Sequence, residues 1–133
     1  HLIKVACEVA VGKRKKMSLF GNNYNTKDGT CIRDYIHVLD LADAHLKALK
    51  YLSEKEVNLS VNLSTKNGYS VLDVVKTSEE IAGKKIPYMF VDRREGDPAI
   101  LIASYELAKL ELGWAPQHST LNEIILSMWN YYS

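Results

Sequence analysis

Residues 29–45, GTCIRDYIHVLDLADAH, constrain the fold of this chain more than any other stretch. Residues 35–38 are aromatic or β-branched except for one histidine, and they predict a short strand. Asp40 stands where a helix N-cap is favoured, just before apolar residues at helical spacing over 41–53. A charged turn, a strand and a helix in direct succession are typical of domains that mix helices with a sheet.

The rest of the chain continues this alternation of helices and short strands. Helical apolar spacing, together with a cap at Ser70 and stop signals at Gly83 and Gly113, defines the helices. Apolar runs and apolar–polar alternation define the strands. The predicted helices are 2–12, 41–53, 71–82, 104–112 and 120–131, and the predicted strands are 17–20, 35–38, 57–63 and 86–91. The order predicts one mixed α/β domain over residues 1–133.

Composition excludes several classes of function. The net charge is +1 over 133 residues, so no overall field favours nucleic acid or an anionic membrane. No apolar run approaches the roughly 20 residues that span a bilayer. Cys7 and Cys31 have neither metal-site nor disulfide spacing, so we expect free thiols and a cytoplasmic protein. The basic run 13–16 predicts a solvated turn after a helix, with a nucleic-acid patch as the alternative.

Two arginine-containing segments carry the clearest binding chemistry. The loop 93–97, RREGD, combines two guanidinium groups with a glycine, which suits a clamp for a phosphate or another oxyanion. Asp97 is suited to accept from a sugar hydroxyl. Composition alone also fits a solvated charged loop. Arg33 is a second candidate, and its structural alternative is a pair with Asp34 or Asp40.

These segments resemble those of the UDP-glucose (UDP-galactose) 4-epimerases, which belong to the extended short-chain dehydrogenase/reductase superfamily. Residues 29–45 match the pattern G-T-x-x-R-D-Y-[IV]-H-V-x-D-L-A-x-A-H, and residues 93–98 match R-R-x-G-D-P. The similarity extends over essentially the whole chain. It implies a small mixed α/β C-terminal domain of a longer chain whose N-terminal Rossmann domain is absent here.

The resemblance also assigns roles in binding the nucleotide. Arg33 and Arg94 would contact the UDP pyrophosphate, and Asp97 would lie on the ribose side. Such a pair of guanidiniums would neutralise most of the charge of a diphosphate.

Two further segments would complete the UDP site. Residues 17–21, with Ser18 and Phe20, resemble the segment that meets the uracil ring, where an aromatic face and backbone groups suit a pyrimidine. His1 and Leu2 resemble an element that lies along the nucleotide. Lys4 stands there where the family usually has proline.

The catalytic and cofactor motifs of the family are not in this sequence. No G-x-x-G-x-x-G occurs, so we expect this chain to bind no NAD alone. The resemblance implies that the full-length enzyme uses NAD to interconvert UDP-galactose and UDP-glucose through a 4-keto intermediate. Tyr105 and Lys109 fit Y-x-x-x-K, but they open a short predicted helix, so we interpret them as structural. We expect no catalytic residue, no metal and no activity from the chain alone.

Two departures from the family pattern concern local shape. Residues 62–68 read NLSTKNG where the family usually has N-L-G-x-G-x-G, and the loss of two glycines predicts an altered turn. Ile100 and Leu101 stand near the position that helps to set the size of the hexose pocket. Neither is aromatic, which suggests room for a 2-acetamido sugar.

Alternatives to the epimerase interpretation stay open at the level of the sequence. One is part of a related UDP-sugar dehydratase, decarboxylase or uronate epimerase. Another is a stand-alone nucleotide-sugar-binding module without catalysis. The start at His1, without methionine, favours a truncated chain. We expect the helix at 41–53 and parts of 1–12 to pack on the absent domain, so that their apolar faces favour self-association. A homodimer remains open.

Overall fold

The computed structural model describes all 133 residues. The predicted mixed α/β class is confirmed. None of the helices combines the length and the apolar character that crossing a membrane requires. The helices are α1 (Leu2–Ala10), α2 (Val38–Lys55), α3 (Val71–Ala82), α4 (Glu106–Leu112) and α5 (Leu121–Tyr132). The strands are β1 (Met17–Phe20), β2 (Ile32–Asp34), β3 (Gly68–Ser70), β4 (Tyr88–Val91) and β5 (Ile100–Leu101).

The strands form two small sheets. In the first, β1 pairs in parallel with β4, so that Phe20 lies opposite Val91. In the second, β2 lies between an antiparallel β3 and a parallel β5, which places Arg33 opposite Leu101. Parallel strands run in the same direction, so the loops that follow β1 and β4 leave their sheet at the same edge. The candidate site is built at that edge.

The core surrounds α1. Ala6 of α1 packs with Leu19 of β1 and Val75 of α3 in one cluster. On the other side of the helix, Ile3 packs with α3 and with Ile125 of α5. Most apolar side chains of α1 are thus buried against β1, α3 and α5, whereas Leu2 and Val5 are only partly buried. The packing of parts of residues 1–12 on the absent domain stays a prediction.

A smaller cluster joins α2 to α4 through Ala44, Ala108 and Trp114. The indole N–H of Trp114 donates to the carbonyl of Asp40 at 2.9 Å. The opposite face of α2 is open to solvent over its length. Its large apolar side chains are between 41% and 69% exposed: Val38, Leu39, Leu41, Leu46, Leu49 and Leu52.

The helix α3 follows its sequence signals closely. The hydroxyl of Ser70 accepts from the backbone N–H of Asp73 at 3.0 Å, and the Asp73 carboxylate accepts from the N–H of Ser70 at 2.9 Å. This reciprocal capping box satisfies two amides that a helix start leaves unpaired. Gly83 ends the helix in the left-handed conformation, with φ 65°. The predicted bounds 71–82 are confirmed.

The predicted strand at 35–38 and the predicted cap at Asp40 are wrong. The strand β2 ends at Asp34, and α2 already begins at Val38. Its cap is His37, whose Nδ1 accepts from the N–H of Leu39 at 3.1 Å. Asp40 lies instead in the first turn of α2 and binds the segment 117–119, a tertiary role that local patterning does not reveal.

The predicted strand at 57–63 is also wrong. These residues alternate apolar and polar, but no other strand of the chain pairs with them, and a strand needs a ladder partner. The strands β3 and β5 were not predicted, because three and two residues give too little pattern. Other boundaries also move, since α1 ends at Ala10, β4 begins at Tyr88 and α4 begins at Glu106. The helix α2 extends to Lys55, and α5 is shifted by one residue to Leu121–Tyr132.

Candidate functional site

Two neighbouring arginines follow β4 and stack on two aromatic rings next to β1. The guanidinium carbon of Arg94 lies 4.0 Å from the centre of the Phe20 ring. The guanidinium carbon of Arg93 lies 4.1 Å from the centre of the Tyr24 ring. Gly21 lies between Phe20 and Tyr24 in the sequence. Its N–H donates to the carbonyl of Val91 at 2.9 Å. The parallel pairing of β1 and β4 therefore brings sequence-distant segments together at one edge.

A tight turn joins Arg94 to Asp97. The N–H of Asp97 donates to the carbonyl of Arg94 at 3.3 Å, and Gly96 has φ 73° at the third position of the turn. A type II turn requires positive φ at this position, which explains the glycine. The turn fixes the spacing between the guanidinium of Arg94 and the carboxylate of Asp97.

Arg33 reaches this turn from β2. One terminal nitrogen of its guanidinium donates to Asp97 Oδ1 at 2.6 Å and to the carbonyl of Pro98 at 2.7 Å. The other donates to the carbonyl of Ile32 at 2.6 Å. The alternative partners are not used, because Asp34 accepts hydrogen bonds from the N–H and the hydroxyl of Thr65, and Asp40 lies at the segment 117–119.

All the residues that the sequence assigned to UDP binding line a single cleft of about 290 Å³. They come from the start of the chain, β1, β2 and the turn after β4: His1, Leu2, Ser18, Phe20, Arg33, Arg94 and Asp97. Of the remaining lining residues, Met17 and Leu19 lie in the segment 17–21 that the sequence assigned to the uracil, and sequence reasoning missed the other four. The only sequence signal of those four is that of ordinary core positions: Val5, Cys31, Tyr35 and Val71.

The floor of the cleft is electrically neutral. Burial raises the pKa of Tyr35 to about 12. Burial also raises the pKa of the Cys31 thiol. Both groups therefore keep their protons near neutral pH and leave the positive charge to the guanidiniums. A neutral apolar floor, an aromatic ring and two arginines suit a ligand that joins a flat ring to an anionic group.

The Y-x-x-x-K signature lies away from this cleft. Tyr105 immediately precedes α4, and its ring packs edge-on against Trp114 at a centroid distance of 6.0 Å. The ammonium of Lys66 lies 5.0 Å from the centre of the same ring. These contacts describe a packing residue. A larger open depression of about 500 Å³ lies elsewhere, beside the ion pair between Lys27 and Asp73, and gathers no comparable set of groups.

In the turn at 62–68, hydrogen bonds form at two positions where the family usually has glycine. Ser64 is fully buried and donates to the carbonyl of Ala103 at 2.6 Å, where a glycine could make no such bond. Lys66 adopts positive φ, at 61°, at the second family glycine position. Its N–H donates to the Ser64 hydroxyl at 2.9 Å, which holds the strained residue in place.

The residues present do not form a dinucleotide site. The chain has no glycine-rich G-x-x-G-x-x-G loop, and its one strand that runs straight into a helix, β3 into α3, does so without a glycine-rich turn. No group of three or more histidine, cysteine or acidic side chains is placed to hold a metal ion.

The sequence model of the family described as GDP-mannose 4,6 dehydratase matches residues 1–128. The chain belongs to this family. A curated relative, UDP-glucose 4-epimerase of Azospirillum brasilense, is 49% identical over 127 residues, covering 96% of this chain and 36% of the relative. The chain thus spans about two fifths of the length of the curated relatives that it matches.

Solved structures show the same similarity. The UDP-glucose 4-epimerase of Stenotrophomonas maltophila, with bound NAD and formylated UDP-arabinopyranose, superimposes with a TM-score of 0.94 at 38% identity, over 99% of this chain and 39% of that one. The Bifidobacterium longum enzyme, in complex with NAD+ and UDP, gives a TM-score of 0.89 at 38% identity, over 98% of this chain and 38% of that one. The resemblance to extended short-chain dehydrogenase/reductase epimerases is confirmed, and the chain corresponds to their C-terminal part.

Proposed function

We propose that this chain is the UDP-binding part of a UDP-glucose 4-epimerase. The observation that carries the proposal is the convergence of Arg33, Arg94, Asp97 and Phe20 on one cleft with a neutral floor. The whole protein would interconvert UDP-galactose and UDP-glucose with NAD. The dinucleotide and the catalytic side chains would then belong to the part of the relatives that this chain does not match.

The chemistry of the cleft fits the three parts of UDP. The strand β1 pairs only with β4, so its other edge has free backbone groups beside Phe20, suited to the edge of a uracil. Arg33 and Arg94 suit the pyrophosphate, and Asp97 suits a ribose hydroxyl. Binding energy from the nucleotide, remote from the hexose, would hold the substrate while the sugar stays free to reorient.

The open face of α2 supports a second part of the proposal. Six large apolar side chains lie exposed along this helix, an unusual surface for a protein in water. Apolar and polar residues alternate in the segment 57–63, yet no strand pairs with it. We propose that the N-terminal Rossmann domain, which the matched relatives are long enough to carry, covers both. The chain alone would then self-associate through this face, whereas a homodimer of the whole protein would not depend on it.

Calorimetric titration with UDP tests the binding site. Arg33→Ala and Arg94→Ala should each weaken UDP binding about 10-fold to 100-fold, because each removes a charge-assisted contact. Arg14→Ala is the matched control, since Arg14 is an exposed arginine that pairs with Glu8 in α1. Affinity for UDP that is unchanged in both cleft variants, or no affinity in the unaltered protein, would overturn the proposal.

Product analysis tests the reaction. The protein as its gene encodes it, incubated with UDP-galactose and NAD, should yield UDP-glucose, and the 133-residue chain alone should yield none. A deoxy-keto or decarboxylated product would favour a related UDP-sugar dehydratase or decarboxylase. UDP binding without any turnover by the encoded protein would favour a nucleotide-sugar-binding module. We further propose a cytoplasmic location, which fits two buried free thiols.

A further inference from the structure

The loop 21–30 is held in a fixed shape next to the cleft. The N–H of Tyr24 donates to the carbonyl of Gly29 at 2.9 Å and closes the loop. The carboxylate of Asp28 accepts from the N–H of Thr30 at 2.9 Å and also from the hydroxyl of Ser70, the cap of α3. Tyr24 is 5% exposed. The loop therefore holds a buried aromatic ring in place outside the cleft.

Arg93 is fastened to this loop by three contacts. Its guanidinium stacks on the ring of Tyr24, and its Nε donates to Asn23 Oδ1 at 2.6 Å. A terminal nitrogen donates to the carbonyl of Asn23. The fit leaves no spare room, because a Cβ placed on Gly21 would lie 2.6 Å from the Tyr24 ring and 2.7 Å from Cγ of Arg93.

The cleft residues beside Arg93 make fewer side-chain contacts with the rest of the protein. Arg94 stacks on Phe20 and makes no side-chain hydrogen bond within the protein. The side chain of Asp97 has one partner, Arg33, which itself belongs to the binding site. Arg93 is thus the firmest attachment of the turn 94–97 to a part of the protein that does not touch the cleft.

We infer that Arg93 is a positioning residue, which orders Arg94 and Asp97 for the nucleotide without touching it. This inference rests on the proposed UDP binding. Without the clamp on Tyr24 and Asn23, the turn 94–97 would move more freely before binding. Two side chains would then have to be ordered when UDP binds, an entropic cost that weakens the affinity about tenfold.

Substitutions at Arg93 and Tyr24 can distinguish a clamp from an effect of the positive charge alone. Arg93→Ala removes both the clamp and the charge. Arg93→Lys keeps the charge, but an ammonium has neither the planar fork for Asn23 nor the flat face for Tyr24. Tyr24→Leu removes the ring that Arg93 stacks on and leaves the charge untouched. Glu95→Ala is the control, because Glu95 lies in the same turn and is exposed.

Titration of each variant with UDP and with uridine provides the test. We expect Arg93→Ala, Arg93→Lys and Tyr24→Leu all to lose about tenfold in affinity for UDP, and to lose less for uridine, which lacks the phosphates that Arg94 would hold. Glu95→Ala should bind both as the unaltered protein does. Normal UDP affinity in Arg93→Lys, or equal losses for UDP and uridine, would overturn the inference.

Amide hydrogen exchange distinguishes failure of the clamp from failure of the proposed function. The N–H of Asp97, bonded to Arg94, should exchange faster in Arg93→Ala and Arg93→Lys, with the amides of α3 and α5 unchanged. If the unaltered protein binds no UDP, the proposed function and the positioning role fail together, while faster exchange still marks the clamp as real. If UDP binds but exchange at Asp97 is unchanged, the positioning role alone fails.

Discussion

The guanidinium of Arg33 donates to the carboxylate of Asp97 at 2.6 Å, across 64 positions of the sequence. The pair joins β2 to the turn after β4 and spans one end of the cleft. Both side chains are partly accessible, at 19% and 27%. Solvent therefore screens their attraction, and the pair serves mainly to place two binding groups side by side.

Removing this ion pair should cost little stability. Asp97→Asn should lower the free energy of unfolding by less than about 1 kcal/mol, because a partly exposed pair contributes little net energy. Urea denaturation measures the loss, and Glu95→Gln in the same turn is the control. A loss above about 2 kcal/mol would mean that the pair is a buried structural link instead.

Substitution of Asp40 should lower the free energy of unfolding far more than substitution of Asp97. Its carboxylate accepts from the N–H groups of Gln117 and His118, both at 2.9 Å, and from the hydroxyl of Ser119. Asp40→Asn turns one acceptor oxygen into a donor facing these donors, so we expect a loss of about 1–3 kcal/mol in urea denaturation. The control is Asp43→Asn in the same helix, where the carboxylate is 46% exposed and pairs with Lys47. Equal losses of stability in the two variants would contradict the stabilising role of the hydrogen bonds to Asp40.

The same carboxylate predicts a dependence of stability on pH. Burial alone would raise the pKa of Asp40, but the hydrogen bonds from Ser119, Gln117 and His118 outweigh it and hold the pKa below its ordinary value of 3.8. A lowered folded-state pKa gives stability that is present above the unfolded value and lost as pH falls through the folded one. We expect Asp40→Asn to lose less stability between about pH 5 and pH 2 than the unaltered protein. Parallel pH profiles would contradict this.

Removing the N-cap of α3 should lower the stability of the protein. Ser70→Ala removes the hydroxyl that caps Asp73 and also donates to Asp28. We expect a loss of about 1–2 kcal/mol in the free energy of unfolding, measured by denaturation. Ser53→Ala is the control, since the Ser53 hydroxyl is exposed and bonds only within its own helix. A loss no larger than that of the control would show that the cap is dispensable.

A substitution at the C-terminal end of α2 should stabilise the protein. Glu56 caps this helix with φ 55°, a conformation that costs a side-chain-bearing residue about 1 kcal/mol. Glu56→Gly should raise the melting temperature because it removes that strain. Glu54→Gly, two residues earlier and within the helix, should lower it, since glycine weakens a helix interior. Shifts of the same sign in both variants would contradict the argument.

Local signals predicted much of the fold. The cap at Ser70 and the stop at Gly83 defined α3, since both act on the backbone of their own helix. Core-facing periodicity likewise placed α1 and α5. The motif residues Arg33, Arg94 and Asp97 were assigned to one site, and the structure does bring them to one cleft.

What sequence reasoning missed depends on tertiary structure. His37 caps α2 in place of Asp40 because the segment 117–119 occupies the Asp40 carboxylate. The alternation at 57–63 satisfies the pattern of a strand but finds no partner. Nothing near Tyr24 in the sequence indicates that an arginine almost 70 positions later stacks on its ring.

The cleft is assembled from α1, β1, β2 and the turn after β4, which are spread over most of the chain. Because α1 is also the centre of the core, a local opening that frees α1 dismantles the cleft as well. Any ligand held there is linked to the folding equilibrium of the entire chain, adding about 2.7 kcal/mol at a concentration 100 times its dissociation constant. A small molecule at one edge of a sheet would thereby slow amide exchange in α5, on the far side of α1.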